Sequence, residues 1–454
     1  MLAKKPVVKS PNLFYSSLTV MLNQKHPLFI LADQIMWDVF EAEFSVMYCA
    51  DNGRPAKPIR LMVGLLILKH LRNISDESVV EQWSENAYYQ YFCGQMDFVP
   101  GVPCEASELV HFRKRIGEKG VELILRESIR INGKDGQEKQ VSIDTTVQEK
   151  NITYPTDAKL HRKIIAKCQA ISRKENLPRR QSYTFVLKKL GIDQRFRNHP
   201  KNKGKARRAD RKVKTIAGRL VRELERNLPP IHGHERVIEI FKRVLAQKKT
   251  DKNKIYSLHE PQVQCISKGK EHKKYEFGNK VSIVYTQNTG VIVGAMSFRN
   301  EFDGHTLEPA LRQHEELGGK RARGATVDRG YRGKTMIGGT EILIPKPFNN
   351  KKLSKYKQAK FRRSFKRRAA IEPCIGHLKS DHRLGRNFYK GIVGDSINVT
   401  LAAAAFNFKR MMNKWKSSLF GLFAKWFKCL ENPIDNTILS LLEINIHRAM
   451  RSVN

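Results

Sequence analysis

The sequence patterns typical of β-strands fall into two blocks, which a long basic segment separates. Residues 139–148, "KQVSIDTTVQ", alternate apolar and polar side chains, and strand character returns only in "KYEFGNKVSIVYTQ", residues 274–287. Between them, residues 157–254 contain 30 Lys+Arg and 9 Asp+Glu, a net charge of +21. Their apolar residues keep helical spacing at Val213, Ile216, Leu220 and Leu224. We therefore predict one sheet interrupted by a basic helical insertion at 157–254, not a disordered tail.

The patterns after the insertion predict the rest of an α/β core. "GVIVGAMSF", residues 290–298, follows the 274–287 strand after only Asn-Thr, which indicates a hairpin. A helix is predicted over 304–316, and a short strand then reaches a Gly-bounded turn at Asp328. "EILIPKP" predicts another short strand, and the helix that carries Glu372 follows it. We assign residues 136–156 and 255–408 to this core.

Residues 1–135 are predicted to form a mostly helical N-terminal domain. One helical face is marked by Leu61, Leu65, Leu68 and Leu71. In "ASELVHFRKRIGEKGVELIL", Ser107 is a candidate N-cap, and Gly117 and Gly120 predict a break between two helices. Two helices around a Gly turn are typical of a helix-turn-helix but also of an ordinary bundle, and the pattern does not decide between them.

Residues 409–454 are predicted to form a C-terminal helical tail. Its apolar face consists of Trp415, Leu419, Leu422 and Trp426. This face favours packing on the core or in a dimer, and a helix lying on a membrane is the alternative.

The charge of the whole chain indicates a polyanionic partner. It has 84 Lys+Arg and 44 Asp+Glu, a formal net charge of +40, so nucleic acid is the first candidate and a membrane surface the second. No apolar run approaches the roughly 18 residues that a spanning helix needs. The basic N-terminus lacks the apolar region and cleavage site of a secretory signal, which predicts a cytoplasmic protein.

The seven cysteines are scattered and form no C-x-x-C pair. This distribution is typical of reduced thiols and not of a disulfide framework or a structural zinc site. Cys374 and His377, with His382 nearby, lack a second ligand pair at zinc-finger spacing, so a structural role is favoured for them.

Three acids on separate elements are candidate metal ligands. Asp144 lies on the first strand, Asp328 follows a later strand, and Glu372 lies on a late helix among arginines and lysines. If the strands form one sheet, these acids can converge. Carboxylates suit Mg²⁺, and two such ions can activate an attacking oxygen and stabilise a leaving one. A carboxylate cluster in so basic a chain predicts a metal site that faces a phosphate backbone.

The spacing around Glu372 predicts how its neighbours are placed. On one continuous helix, Arg368, Glu372 and Lys379 would lie within about 40° of one face. Pro373 disfavours a continuous helix, because it removes a hydrogen bond inside one. Either the helix bends at Pro373, or it begins near Glu372 with Pro373 in its first turn.

These residues resemble the DDE transposases of bacterial insertion sequences, in particular the insertion-sequence-four and insertion-sequence-five groups. Their third acidic motif, Tyr, two residues, Arg, three residues, Glu, six residues, Lys, is matched by Phe365, Arg368, Glu372 and Lys379. "SIDTT" resembles the first motif, with Asp144, and "TVDRGYRG" resembles the second, with Asp328. The similarity extends over roughly residues 50–408 and departs from the family at Phe365, which lacks the hydroxyl of the Tyr.

The resemblance implies an RNase H-like catalytic core with a helical N-terminal DNA-binding domain and the basic insertion. It implies that Asp144, Asp328 and Glu372 are both catalytic residues and ligands of two Mg²⁺ ions, for which Mn²⁺ can substitute. The expected DNA contacts are Arg368, Lys379, Arg329 and Arg332. The implied activity is cleavage at the terminal inverted repeats of an element and joining of the 3′-hydroxyl to target DNA.

The resemblance further implies a homodimer or larger assembly on double-stranded DNA, in a nucleoid-associated bacterial protein with no membrane partner. Two other functions stay open on the sequence alone. One is a catalytically silent DNA-binding protein derived from a transposase, and the other is a stand-alone Mg²⁺-dependent nuclease that cleaves without joining.

Overall fold

The structure is a computed structural model. It describes residues 16–49, 52–229, 233–248, 250–267, 273–318, 320–331, 333, 335–344 and 354–429. In the last range, the side chains at positions 357, 360, 361, 364 and 418–429 lie outside the description. Arg332 and residues 430–454 of the predicted tail also lie outside it.

The described part of the N-terminal region is helical. Its helices are α1 (Leu18–Met21), α2 (Pro27–Gln34), α3 (Trp37–Ser45), α4 (Ile59–Leu71), α5 (Asp76–Glu85), α6 (Ala87–Phe92) and α7 (Ala106–Ile131). Ser75 and Asn86 cap α5 and α6, because their side chains accept a hydrogen bond from a backbone N–H of the first turn. α4 is buried on all sides except at Arg60, so it is the central helix of this region.

α7 contains the predicted break and begins one residue before the predicted cap. Gly117 has φ 59° and ψ −157°, which are not helical values, whereas Gly120 continues the helix. At the start, Glu105 is the N-cap and forms a capping box with Glu108. The prediction that Ser107 caps this helix is wrong, because carboxylates already satisfy the free backbone N–H groups of the first turn.

One mixed sheet forms the centre of the fold. Its strands are β1 (Gln140–Lys150), β2 (Gln264–Ser267), β3 (Tyr275–Thr286), β4 (Ile292–Phe298), β5 (Gly324–Thr326), β6 (Met336–Ile337), β7 (Thr340–Leu343) and β8 (Arg386–Asn387). β3 pairs antiparallel with β1, β2 and β4, which confirms the predicted hairpin. On the other side, β1, β5 and β7 run parallel. β5 therefore pairs with the first residues of β1 and ends at the level of Ser142, whereas β1 continues to Lys150.

The insertion between β1 and β2 has a hydrophobic core of its own. Its helices are α8 (Asp157–Lys174), α9 (Thr184–Asp193), α10 (Pro200–Asn227) and α11 (Glu235–Ala246). Buried apolar residues such as Val213, Leu220 and Phe241 pack together inside it. Lys254, at the end of the insertion, forms an ion pair with Asp157, at its beginning, at 3.4 Å. The insertion therefore leaves and re-enters the core at neighbouring points.

The remaining helices cover the sheet and join it to the N-terminal region. They are α12 (Asp303–Gly318), α13 (Lys355–Arg368), α14 (Ile371–Asp381) and α15 (Gly391–Cys429). α15 packs against α4, α7 and β4. The N-terminal helices, the sheet and α15 share one continuous hydrophobic core. Trp415, on the predicted apolar face of the tail, packs against this core.

None of the helices within the described residues is both long and apolar enough to cross a membrane.

Candidate active site

Asp144 and Asp328 lie at the same level of the sheet, Asp144 within β1 and Asp328 just beyond the end of β5. β1 and β5 are parallel, and their last registered pair is Ser142 with Thr326. Asp144 follows Ser142 by two residues, and Asp328 follows Thr326 by two. Two residues are one full period of the strand pleat. Because neighbouring strands lie about 4.8 Å apart, the two acids lie close together beside the carboxyl end of β5.

Local hydrogen bonds orient both carboxylates. Asp144 Oδ1 accepts the backbone N–H of Thr145 at 2.8 Å. Asp328 Oδ1 accepts the backbone N–H of Gly330 at 2.7 Å, which closes the turn after β5. A Cβ at Gly330 would lie 3.0 Å from Asp328 Oδ1, so a side chain at this position would press on the carboxylate.

Glu372 reaches the site from a helix of its own. α13 ends at Arg368, the chain turns, and α14 begins at Ile371 with Glu372 and Pro373 in its first turn. A proline in the first turn loses no hydrogen bond, because that N–H has no helical partner. The prediction that the helix begins near Glu372 is therefore confirmed. The alternative, one helix that continues through Glu372 and bends at Pro373, is wrong.

Arg368 connects two of the three acids. One guanidinium nitrogen, Nη1, lies 3.7 Å from Asp144 Oδ2, and the other, Nη2, lies 3.7 Å from Glu372 Oε1. Both distances exceed hydrogen-bond length, and Nη1 is buried without a hydrogen bond. Asp144 and Arg368 are largely buried, whereas Glu372 is 66% exposed. A cationic group therefore lies between Asp144 and Glu372.

The donor chemistry of the three acids fits a hard divalent cation, because they offer only carboxylate oxygens. Across the described residues, however, no three His, Cys, Asp or Glu side chains lie close enough together to hold a metal ion. The position of Arg368 and the exposure of Glu372 account for this arrangement. The metal positions of Asp144, Asp328 and Glu372 therefore stay a prediction.

The predicted DNA-contacting residues differ in exposure. Arg329 is exposed on the turn after Asp328, and Lys379 is half-buried near the end of α14. Arg332 lies outside the described residues. On α14, His377 pairs with Asp381 at 2.9 Å, and Cys374 faces the core, where burial raises the pKa of its thiol. This arrangement is that of a packed helix and not of zinc ligands.

Asp303 is a fourth acid at this site, which the sequence did not indicate. Its Oδ1 accepts the Thr145 hydroxyl at 2.9 Å and forms an ion pair with Lys280 Nζ at 2.9 Å. Its other oxygen, Oδ2, lies near Gly330, and a Cβ added to that glycine would be 3.4 Å from it. An acid in the first turn of a helix is common, because it interacts favourably with the helix dipole. Asp303 therefore carried no distinctive sequence signal.

Tyr331 closes the space among these acids. Its ring is 1% exposed, and its hydroxyl lies beside Thr145 without a hydrogen bond of normal geometry. Burial, first, and then the negative charges of Asp144, Asp303 and Asp328 raise the pKa of Tyr331 well above its ordinary value of 10.0. The phenol therefore stays protonated and keeps a proton to donate toward the carboxylates.

A second charged feature lies in the insertion, between α10 and the start of α9. A groove of about 530 Å³ is lined by Gln181, Tyr183, Val186, Arg208, Arg211, Lys212, Thr215, Ile216 and Arg219. We call it the α9–α10 groove. Its four cations, Arg208, Arg211, Lys212 and Arg219, form no ion pair with any acid in the described part of the chain. Their mutual repulsion is relieved most directly by an anion.

Comparison with known proteins gives two family models and one relative. A model described as "Transposase domain (DUF772)" matches residues 16–115, and one described as "Transposase DDE domain" matches residues 343–412. An uncharacterized protein, ORF8 in the nfe locus of Rhizobium meliloti, is 38% identical over 200 residues, which are 43% of this chain and 96% of the relative. No solved structure matches the chain. Glu372, Arg368 and Lys379 lie inside the second matched range, and Asp144 and Asp328 lie outside both.

Proposed function

This chain belongs to the DDE transposases of insertion sequences, and from that premise we propose that it binds the terminal inverted repeats of its element and catalyses Mg²⁺-dependent cleavage and strand transfer. Asp144, Asp328 and Glu372 are the proposed catalytic residues and metal ligands. The third motif, with Phe365 in place of Tyr, supports our proposal that the protein is of the insertion-sequence-four or insertion-sequence-five type. The implied RNase H-like core agrees with the mixed sheet and its covering helices.

One observation carries the proposal. Asp144, within β1, and Asp328, just beyond the end of β5, lie at the same level of the sheet, and Arg368 lies between Asp144 and Glu372. Ordinary surface acids would have no reason to converge from three elements that are far apart in the sequence. A bound divalent cation would supply charge neutralisation and activation of the attacking oxygen.

The residues of the chain have separate parts in this mechanism. Asp144, Asp328 and Glu372 would hold the cation beside the carboxyl end of β5. Arg368 exchanges its carboxylate partners for a DNA phosphate, which its planar guanidinium can bind through two hydrogen bonds. Lys379 and Arg329 contact the backbone from the same side. Arg332 is proposed there from the sequence alone.

The α9–α10 groove is proposed to bind the phosphate backbone of the same DNA. Its four cations belong to an insertion with its own hydrophobic core, which can keep them exposed to the duplex. Cations that neutralise phosphates release condensed counterions, and binding then weakens as salt rises.

The catalytic proposal is tested with labelled terminal-repeat DNA and Mg²⁺, comparing the wild type with Glu372→Gln at equal DNA occupancy. The control is Asp381→Asn, which removes another exposed acid from the same helix. We expect the wild type and the control to nick and join, and Glu372→Gln to bind DNA with at least a hundredfold slower cleavage.

Each alternative function has its own result in that experiment. Cleavage without joined product would select a stand-alone nuclease. Specific binding without cleavage by the wild type would select a catalytically silent DNA-binding protein. Equal reaction by the wild type and Glu372→Gln would exclude Glu372 as a metal ligand.

The groove is tested through the salt dependence of DNA binding. Arg208→Gln with Arg211→Gln should reduce the slope of log affinity against log salt by about 1.8, or 0.9 for each lost phosphate contact. The control is Arg222→Gln with Arg226→Gln, which removes the same charge from the same helix outside the groove. Equal slopes for the two double variants would exclude a specific role for the groove.

A further inference from the structure

Asp303 lies against both segments of the chain that carry Asp144 and Asp328. It begins α12, and its side chain bonds Thr145, which directly follows Asp144 on β1. It also pairs with Lys280 on β3, the strand that runs antiparallel to β1 along most of its length. One carboxylate oxygen therefore contacts both β1, at the residue next to Asp144, and β3, at Lys280.

The other oxygen of Asp303 faces the turn that follows Asp328. A Cβ built on Gly330 would lie 3.4 Å from Asp303 Oδ2 and 3.0 Å from Asp328 Oδ1. Both carboxylates therefore lie against the face of Gly330 on which a side chain would stand. Tyr331, the next residue, fills the remaining space with its buried ring.

We propose that Asp303 is a positioning residue for the divalent-cation site of Asp144 and Asp328, and that Tyr331 completes this support. This inference rests on the proposed function, because it concerns the same site. Asp303 acts through Thr145 and the turn at Gly330 and does not itself hold the cation. Both Lys280 and Thr145 already occupy its Oδ1.

Lys280 explains why this acid cannot simply be replaced by a neutral side chain. Lys280 is nearly buried, and its amino group also donates to the backbone oxygen of Glu301 at 2.6 Å. Without Asp303 its charge would be left buried and unpaired, and the nearest compensation would come from the carboxylates of the site. A lysine paired with a ligand carboxylate competes with a cation for it.

The test uses the full chain and two substitutions. Asp303→Asn keeps the size and an acceptor for Thr145, and the double variant Asp303→Asn with Lys280→Met removes both members of the buried pair. The control is Glu308→Gln, which removes an exposed acid from the same helix. Asp328→Asn is the reference for loss of a proposed metal ligand. The double variant matters because Asp303→Asn alone can fail to fold.

Two readouts are made on each variant. One is the Mn²⁺ affinity of the protein measured by calorimetry without DNA, and the other is the Mg²⁺ concentration that gives half-maximal cleavage of terminal-repeat DNA. We expect both Asp303 variants to bind Mn²⁺ about tenfold more weakly and to need about tenfold more Mg²⁺. Cleavage at saturating Mg²⁺ should stay near the wild-type rate.

Three results would overturn the inference. Wild-type metal affinity in both variants would show that Asp303 only stabilises the fold. If the double variant has wild-type Mn²⁺ affinity and Asp303→Asn does not, Asp303 acts only by neutralising the charge of Lys280. Loss of Mn²⁺ binding as complete as in Asp328→Asn would make Asp303 a ligand. The Mn²⁺ readout distinguishes these from failure of the proposed function, in which the wild type binds metal but does not cleave.

Discussion

The body that contains the sheet and the basic insertion differ in where they place their charges. In the body, ionised groups are buried and paired: Asp76 contacts Lys69 at 2.8 Å and Arg113 at 2.6 Å, with all three largely buried. In the insertion, the ion pair of Arg197 and Asp210 is partly exposed, and the cations of the α9–α10 groove form no ion pair within the described residues. The buried ion pairs hold helices of the body together, whereas the cations of the groove can interact with an anionic partner.

The difference follows from how each region is packed. The N-terminal helices, the sheet and α15 share one core, so polar groups between them must be satisfied inside the protein. The insertion has a small core of its own, and the residues of α10 outside that core are largely exposed. A basic face can therefore stay solvated until DNA binds.

The largest expected effect comes from breaking a buried pair in the body. Asp76→Asn would leave Arg113 buried without its charge partner, and Arg113 cannot lose its proton. We expect a loss of about 3–5 kcal/mol in the free energy of unfolding. Asp210→Asn, its counterpart in the insertion, should cost less than about 1 kcal/mol. Denaturant unfolding, with amide hydrogen exchange in α5 and α10, measures both.

Equal losses for the two variants would contradict the comparison, because partial exposure would then not weaken the insertion pair.

A smaller effect is expected from acid. His70 is fully buried in α4, and burial, followed by the nearby Lys69 charge, lowers its pKa to about 3. The folded-state pKa lies below the 6.5 of an unfolded histidine, so its stabilising contribution is complete above pH 6.5 and is lost as pH falls toward 3. The loss is at most about 1.4 kcal/mol per pH unit.

Hydrogen exchange in α4 should therefore become more sensitive to pH below 6.5, and His70→Gln should reduce that sensitivity. The insertion provides the internal control, since α10 should show no such change. A wild-type pH profile in His70→Gln would mean that other groups cause the acid sensitivity.

The smallest effects are expected from replacing one glycine of a helix in each region by alanine, which tests the backbone conformation there. Gly117 in α7 has φ 59° and no atom within 4 Å of an added Cβ, so Gly117→Ala meets only backbone strain. We expect it to cost about 1 kcal/mol. Gly204 in α10 has equal space and no positive φ, so Gly204→Ala should stabilise by about 0.5–1 kcal/mol. Thermal unfolding of the two variants measures the opposite signs, and equal signs would contradict the break at Gly117.

The sequence predicted those features that depend on local pattern. The alternation around Asp144 predicted β1, the short Asn-Thr connection predicted the β3–β4 hairpin, and the helix of 304–316 appears as α12. Pro373 restricted the helix of Glu372 to two possibilities, and the structure has the second. The Leu pattern of α4 was less informative, because a helix buried on all sides still shows its leucines at helical spacing.

The rest depends on contacts between distant residues. Asp303 and Thr145 are 158 positions apart, and no local sequence pattern around either residue predicts their hydrogen bond. The motif spacing singled out Arg368 as a DNA contact, but its position between Asp144 and Glu372 was not predicted. Lys280 is buried in a strand whose alternation would not by itself require an acidic partner. The metal ligands and the DNA contacts remain predictions for the same reason, since they involve groups outside the chain.

The joined ends of the insertion have a consequence for the order of folding. β1 pairs with β3, yet Tyr275 follows Lys150 by 125 positions, and closing so long a flexible loop costs conformational entropy. Helices with local contacts form faster than long-range strand pairs. Once α8–α11 have packed, the contact of Asp157 with Lys254 turns that loop into a compact body with adjacent ends. We therefore expect the insertion to fold first, and its rate of folding to limit how soon the sheet around Asp144 can assemble.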